Sequence, residues 1–307
     1  MELVRGLHNL SARQRGCVLT VGNYDGVHLG HQQMLRLLKM RALQRGCAAT
    51  VLVFEPSSKE FIDPAGAPPR LTRWREKFLA LAAHGVDRLV TLRFDERVRA
   101  MSPEEFVGDL IVGALGTRHI VVGDDFRYGC RASGTIETLK KAGSDRGFEV
   151  EQIAPFLFDS VRVSSTAVRQ RLQRGDFAGA ARLLGRPYRM RGRVVHGNEL
   201  GRTLGFATAN LRLGRRKPPF LGVLAVRVHG IGARPSAAVA SLGTRPTVEG
   251  AEPLLEVHVF DFDGDLYGRV LEVEFVAKLR DEVKFESLDS MVAQMRRDAA
   301  EARLLLA

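Results

Sequence analysis

Cysteine is scarce in this 307-residue chain: Cys17, Cys47 and Cys130 form an odd set, far apart and without a C-x-x-C pair. That spacing argues against a disulfide framework and against a cysteine zinc site, and leaves the thiols as small buried or incidental residues. Long apolar runs are also missing. None reaches the ~18 residues that mark a membrane-spanning helix, and Met1-Glu2-Leu3-Val4-Arg5 carries no signal-peptide pattern. A cytoplasmic chain with no membrane partner is expected. The net charge of +11, from 46 Lys and Arg against 35 Asp and Glu, comes without an aromatic platform or a nucleic-acid module. Its basic residues are mostly arginine and spread along the chain, which suits small anionic substrates at least as well as nucleic acid. No nucleic-acid partner is expected. What remains, 45% hydrophobic and 26% charged, is ordinary for a globular protein long enough to build two domains.

The stretch Gly22-Asn23-Tyr24-Asp25-Gly26-Val27-His28-Leu29-Gly30-His31 organises the first half. An apolar segment, Cys17–Val21, precedes it, and Met34, Leu35, Leu37, Leu38 and Leu43 follow at helical spacing. The ten residues therefore lie on a strand-to-helix turn, where Gly22, Gly26 and Gly30 let the backbone turn tightly and approach a ligand. Unpaired N–H groups and a partial positive charge make the start of a helix an anion site. His28 and His31, three apart, can add two donors there. Their plainer reading is one surface and one core histidine.

Alternating strands and helices follow: strands at Ala48–Phe54, Arg88–Phe94, Arg118–Val122 and Phe148–Ile153, and helices at Arg73–His84, Pro103–Leu115 and Thr135–Ala142. This alternation predicts a parallel sheet covered by helices on both faces, with ligands at the carboxyl ends of strands. Asp124, Asp125 and Phe126 follow the strand Arg118–Val122 across Gly123. The two carboxylates can bind ribose hydroxyls or a metal, or simply form a solvated turn. Ser164-Ser165-Thr166-Ala167-Val168-Arg169 begins a helix whose hydroxyls can cap it or donate to phosphate, with Arg169 one turn on.

After the short helix Asp176–Leu184, Gly185 and Pro187 stop the helical pattern, and from Tyr188 short β-rich segments alternate with Gly and Pro. Arg191–Val195, Gly222–Val228, Ala237–Ser241, Leu254–Phe260 and Val270–Phe275 suggest a closed antiparallel barrel, and a final helix starts near Ser287. Between Gly192 and Asn210, Gly197, Gly201 and Gly205 make a loop able to wrap a phosphate, although no G-K-[ST] is present. Glu256 and His258 alternate with apolar residues and share a strand face; alone, Glu256 reads as an exposed strand residue. Asp261–Gly268 lacks the twelfth-position Glu of a calcium loop and reads as a turn.

The wording of these motifs resembles the prokaryotic bifunctional riboflavin kinase/FMN adenylyltransferases (FAD synthetases). The matching segments are G-x-x-D-G-V-H-x-G-H at Gly22–His31, S-S-T-x-x-R at Ser164–Arg169, G-R-T-L-G-F-A-T-A-N at Gly201–Asn210 and L-E-V-H at Leu255–His258. The resemblance covers nearly the whole chain, in order. It implies an α/β nucleotidylyltransferase-type domain with a Rossmann-like parallel sheet at 1–186, and an all-β antiparallel barrel of riboflavin kinase type with a terminal helix at 187–307. It also implies Mg2+, ATP as co-substrate, and riboflavin, FMN and FAD as substrates and products.

By this resemblance His28, His31 and Arg169 serve adenylyl transfer, and Gly22, Tyr24, Asp25, Gly26, Gly30, Ser164, Ser165 and Thr166 hold ATP. Asp124, Asp125 and Phe126 lie on its flavin and ribose side. In the kinase half, Gly192, Val194, Gly197, Gly201, Thr203 and Gly205 bind ATP, Thr208 and Asn210 serve the metal, Glu256 is the base, and Arg280 and Phe285 meet the flavin. Two positions depart from the family pattern: Ser57-Ser58 follows Phe54-Glu55-Pro56 where a His-Pro or similar dipeptide is usual, and Ala207 replaces a proline. The alternatives are a chain with one working module, or a nucleotide- or RNA-binding regulator on the same fold. Partners are small molecules, with weak homo-oligomers left open.

Overall fold

A computed structural model describes residues 1–197, 206–215, 217–247 and 250–307. They form two compact units, Met1–Pro68 with Trp74–Val163, and Pro69–Arg73 with Ser164–Ala307. The units thus divide between Val163 and Ser164, whereas the sequence pattern changes at 186/187.

In the first unit, β1 (Glu2–Arg5), β2 (Cys17–Val21), β3 (Ala48–Phe54), β4 (Arg88–Leu92), β5 (Thr117–Gly123) and β6 (Glu149–Ile153) make a six-stranded sheet in the order β1-β4-β3-β2-β5-β6. Every neighbouring pair is parallel. Alternate strand residues feed two cores. Leu19, Leu52, Ile120 and Val122 join one, while Val18, Val51, Val53 and Val121 join the other. Helices α1 (Leu29–Gln44) and α3 (Trp74–Ala83) add Leu35, Leu38 and Leu81 to the second core. The short helices α2 (Ser58–Ile62) and α4 (Glu96–Ala100) lie in the crossovers. Helix α5 opens at Pro103–Glu105 and widens into a π-helix over Phe106–Ala114, packing Phe106, Leu110 and Ile111 with α6 (Ile136–Arg146) into the first core.

Two expectations need amendment. The edge strand β1 is absent from the sequence reading, because only Val4 of its four residues is buried. The helix over Pro103–Leu115 is not uniformly α: the Leu115 N–H reaches back five residues to the Leu110 carbonyl at 3.1 Å. Gly113 accommodates the wide turn, since a Cβ there would stand 2.8 Å from the Gly108 carbonyl oxygen.

The second unit starts with α7 (Ser165–Gln173) and α8 (Phe177–Leu184), capped by Ser164 and Asp176. Strands β9 (Arg189–Val195), β10 (Ala209–Arg212), β11 (Gly222–His229), β12 (Ser236–Thr247), β13 (Gly250–Val259) and β14 (Val270–Arg280) close a barrel in the order β10-β13-β12-β11-β14-β9. All its pairings are antiparallel. The terminal helix α9 (Leu288–Leu306) lays Ala302 and Leu306 on Val223, Ala225, Val239 and Phe260. The barrel, its closure and the terminal helix match expectation. The membership of Pro69–Arg73 does not follow from any local pattern. Tyr188 and Arg215 donate to the Leu71 carbonyl at 2.9 and 3.2 Å, Arg215 also donates to the Arg70 carbonyl at 2.7 Å, and Arg169 donates to the Pro69 carbonyl at 2.7 Å.

Candidate functional sites

The parallel sheet reverses its order between β2 and β5, and a crevice at the carboxyl ends of such strands is the usual ligand position. Gly22–His31 leaves β2 there, and Asp124, Asp125 and Phe126 leave β5. The first turn is strained. Tyr24 and Val27 have φ of 48° and 44°, with Gly26 at 87°, a conformation that a β-branched residue rarely adopts. Burial holds it in place: both side chains are interior, the Tyr24 hydroxyl lies 2.7 Å from Thr20 Oγ1, and Gln32 donates to the Val27 carbonyl at 2.9 Å.

His28 is the N-cap of α1, its Nδ1 accepting the His31 N–H at 3.4 Å. The two imidazoles stack with centroids 3.7 Å apart, and the Tyr24 ring is 4.8 Å from His31. Gly30 packs closely here: a Cβ would come within 3.3 Å of the His28 ring and push it aside by a few tenths of an ångström. Burial, then the neighbouring His28 and Lys77, hold the His31 pKa well below its ordinary value, so the ring is neutral near pH 7.

Asp124 and Asp125 share a partner that local sequence does not reveal. Arg162 NH2 lies 2.8 Å from Asp124 Oδ1 and 3.4 Å from Asp125 Oδ2. Arg162 sits on β8 (Val161–Arg162), which pairs with β7 (Leu157–Phe158). Phe126 stacks on Tyr128 at 5.8 Å. Among the described residues no three His, Cys, Asp or Glu side chains converge as metal ligands. At the Ser57 departure, the side chain caps α2 in a box with Glu60, a signal present in the sequence as S-x-x-E.

In the second unit the Ser164 hydroxyl accepts the Ala167 N–H at 3.1 Å, so capping is one of its roles. Ser165 lies in the first turn beside it, Thr166 is exposed, and Arg169 is oriented by its bond to Pro69. Within the barrel, Asn210 on β10 stands directly opposite Glu256 on β13. Asn210 is buried and Glu256 exposed. Gly192 and Val194 are interior on β9, and any Cβ on Gly197 would collide with the Asn210 amide. Thr208 is half-buried just before β10. His258 Nδ1 donates to the Ala207 carbonyl at 2.9 Å, holding the residue that precedes Thr208. Gly201, Thr203 and Gly205 lie outside the described residues.

Arg280 is differently occupied from a bare ligand. Its guanidinium makes a forked pair with the buried Asp298 of α9, at 3.0 Å from Nε and 2.7 Å from NH2, and lies over the Phe285 ring at 5.7 Å. Asp298 also accepts from Gln294 at 2.8 Å.

Two family models match the chain in sequence, FAD synthetase over residues 10–167 and riboflavin kinase over residues 184–306. A bifunctional riboflavin kinase/FMN adenylyltransferase of Escherichia coli K12 is 48% identical, over 99% of this chain and 97% of its own length. One from Pseudomonas fluorescens is also 48% identical, covering 100% and 98%. The chain belongs to the bifunctional riboflavin kinase/FMN adenylyltransferase family.

A solved structure titled a macrolide-efflux protein from Streptococcus pneumoniae superimposes on this family member with a TM-score of 0.82, at 31% identity and 99% coverage of both chains. No helix among the described residues is long and apolar enough to cross a membrane. The sequence of this family member gives no sign of Arg162 or Asp298 as partners, and it places His258 on a strand face without a role. Each acts on a residue distant in the chain. Only His258, in L-E-V-H, stood inside a recognised motif.

Proposed function

We propose that the chain makes FAD in two steps: riboflavin and ATP give FMN and ADP in the barrel, and FMN and ATP give FAD and pyrophosphate on the α/β half. The division at 186/187 is the functional boundary of this reading. The observation that carries it is the pairing of Asn210 with Glu256 across β10 and β13, which puts a carboxylate beside a polar group suited to a nucleotide-bound cation. A hydroxyl is a poor nucleophile, and Glu256 takes the proton of the riboflavin hydroxyl as it attacks the γ-phosphorus of ATP.

Thr208 and Asn210 carry the oxygen donors that Mg2+ prefers, and phosphate oxygens complete such a shell. Bound with ATP, the cation would neutralise phosphate charge. Gly192, Val194 and Gly197, with Gly201, Thr203 and Gly205, are assigned the nucleotide, and Phe285 with the Arg280–Asp298 pair the flavin side.

In the other half the nucleophile is the FMN phosphate, which is already an anion. An oxygen of that phosphate attacks the α-phosphorus of ATP, the α–β bridge breaks, and pyrophosphate leaves with the electron pair. No general base is required. His28, His31 and the start of α1 offer hydrogen bonds to the developing charge, and Gly22, Tyr24, Asp25, Gly26 and Gly30 shape the turn around it. Asp124, Asp125 and Phe126 are assigned the flavin and ribose side. Ser164, Ser165, Thr166 and Arg169 are assigned the triphosphate by resemblance. The free thiols fit a cytoplasmic setting, and no nucleic acid enters the scheme.

A chromatographic time course of riboflavin with Mg-ATP and the purified chain tests the reading. FMN rising first and FAD after it is the expected result. Unchanged riboflavin refutes the kinase half, and FMN accumulating without FAD refutes the other.

A further inference from the structure

Helix α3 buries two side chains, Lys77 and Leu81, one turn apart on the same face. Leu81 packs in the core that also contains Tyr24 and Val27, the two strained residues of the histidine turn. Lys77 is 5% exposed, one turn nearer the start of α3. Keeping an ammonium in such a place is costly, and buried charges of this kind concentrate at functional sites. We infer that Lys77 is a phosphate-binding residue of the adenylyl-transfer site, the third positive or hydrogen-donating side chain beside His28 and His31.

Three observations converge on this. The α3 face that carries Lys77 joins the core under the Gly22–His31 turn. The positive charge of Lys77 acts on His31 together with His28. The buried Nδ1 of His31 has no hydrogen-bond partner, so the site holds an imidazole ready for a ligand next to a lysine. Two imidazoles, of which His31 is held neutral, and a helix start cannot match the charge of a triphosphate, and a buried ammonium interacts strongly with one because little water screens it. Lys77 donates N–H bonds to the polyphosphate and transfers no proton. As the α–β bridge breaks, it follows the charge that gathers on pyrophosphate.

The inference rests on the adenylyltransferase reading, and one chain tests both. FAD formation from FMN and Mg-ATP is measured for wild type, Lys77→Met and Lys77→Arg, with FMN formation from riboflavin in the same preparations as an internal control. Trp74, the single tryptophan, lies on α3 and stacks on Phe78 at 5.7 Å, so its emission reports whether that helix is intact. Lys77→Met is expected to lower kcat/KM for FAD formation roughly 100-fold, the scale of losing one charge-stabilising donor. FMN formation should stay within about twofold and Trp74 emission unchanged, while Lys77→Arg recovers most of the loss. In the reverse direction the KM for inorganic pyrophosphate should rise in Lys77→Met. Wild-type rates in Lys77→Met overturn the inference alone. Equal loss in both variants also overturns it, because shape rather than charge is then what the helix needs. A wild-type chain that makes no FAD overturns the underlying reading and the inference with it.

Discussion

The two candidate sites solve the same problem, a phosphorus atom under attack, with different materials. In the parallel-sheet unit the site is mostly backbone: a strained turn, a helix start and two stacked imidazoles, of which His31 is held neutral. In the barrel it is cross-strand side chains, with Asn210 facing Glu256 and His258 holding the Ala207 carbonyl. On the proposed roles, the difference follows from the nucleophile. An ionised phosphate needs only a place for charge to go, whereas a hydroxyl needs a group to take its proton.

The contrast is broken most sharply at Glu256. Glu256→Gln keeps the shape and removes the proposed base, and should slow FMN formation by about 100- to 10,000-fold. FAD formation from supplied FMN should continue at the wild-type rate. Equal losses in both assays would mean that the carboxylate is not a base at all.

His31→Gln comes next. It should cost FAD formation on the order of 100-fold and leave FMN formation intact. A smaller effect is expected at His258. His258→Ala frees the Ala207 carbonyl, a loss of about 1 kcal/mol, and should raise the KM for ATP in the kinase assay roughly five- to tenfold. Restoration by His258→Gln, whose amide can donate, would identify the hydrogen bond rather than the ring as the cause.

The smallest effect is on stability. Burial, with His28 and Lys77 nearby, lowers the His31 pKa from 6.5, and burial with Arg45 lowers that of His119. Between those native values and 6.5 the unfolded chain binds more protons than the folded one. Stability therefore rises with pH through this window and is lost on acidification. The thermal midpoint reported by Trp74 should fall as pH drops from about 7.5 to about 5.5, and fall less in His31→Gln. A midpoint that rises on acidification would show that these rings fold protonated.

Much of the architecture was legible because the central strands are continuous apolar runs and the barrel strands are separated by Gly and Pro. The histidine turn was legible for the same reason: its residues are contiguous. What escaped depends on distant neighbours. Asp124 and Asp125 give no local sign of Arg162, which lies 38 residues beyond Asp124 and supplies a partner to both. Nothing in the local sequence shows that Asp298, 18 residues on, holds the Arg280 guanidinium. Lys77 lies in an ordinary amphipathic pattern, and only the fold reveals that its face is interior. The widening of α5 leaves no mark on apolar periodicity, since the residues that reach the core, Phe106, Val107, Leu110 and Ile111, stand at ordinary α-helical spacing.

Pro69–Arg73 carries a consequence for how the protein is made. Leu71 is fully enclosed in the second unit, and its carbonyl waits for Tyr188 and Arg215. On a ribosome these groups emerge long after it, so a nascent first half leaves this stretch uncovered until the barrel arrives. A gene cut at residue 186 would make that interval permanent. Dissecting the enzyme into halves therefore removes part of one half's interior along with the other half, and the two activities are best separated by point substitution in the whole chain.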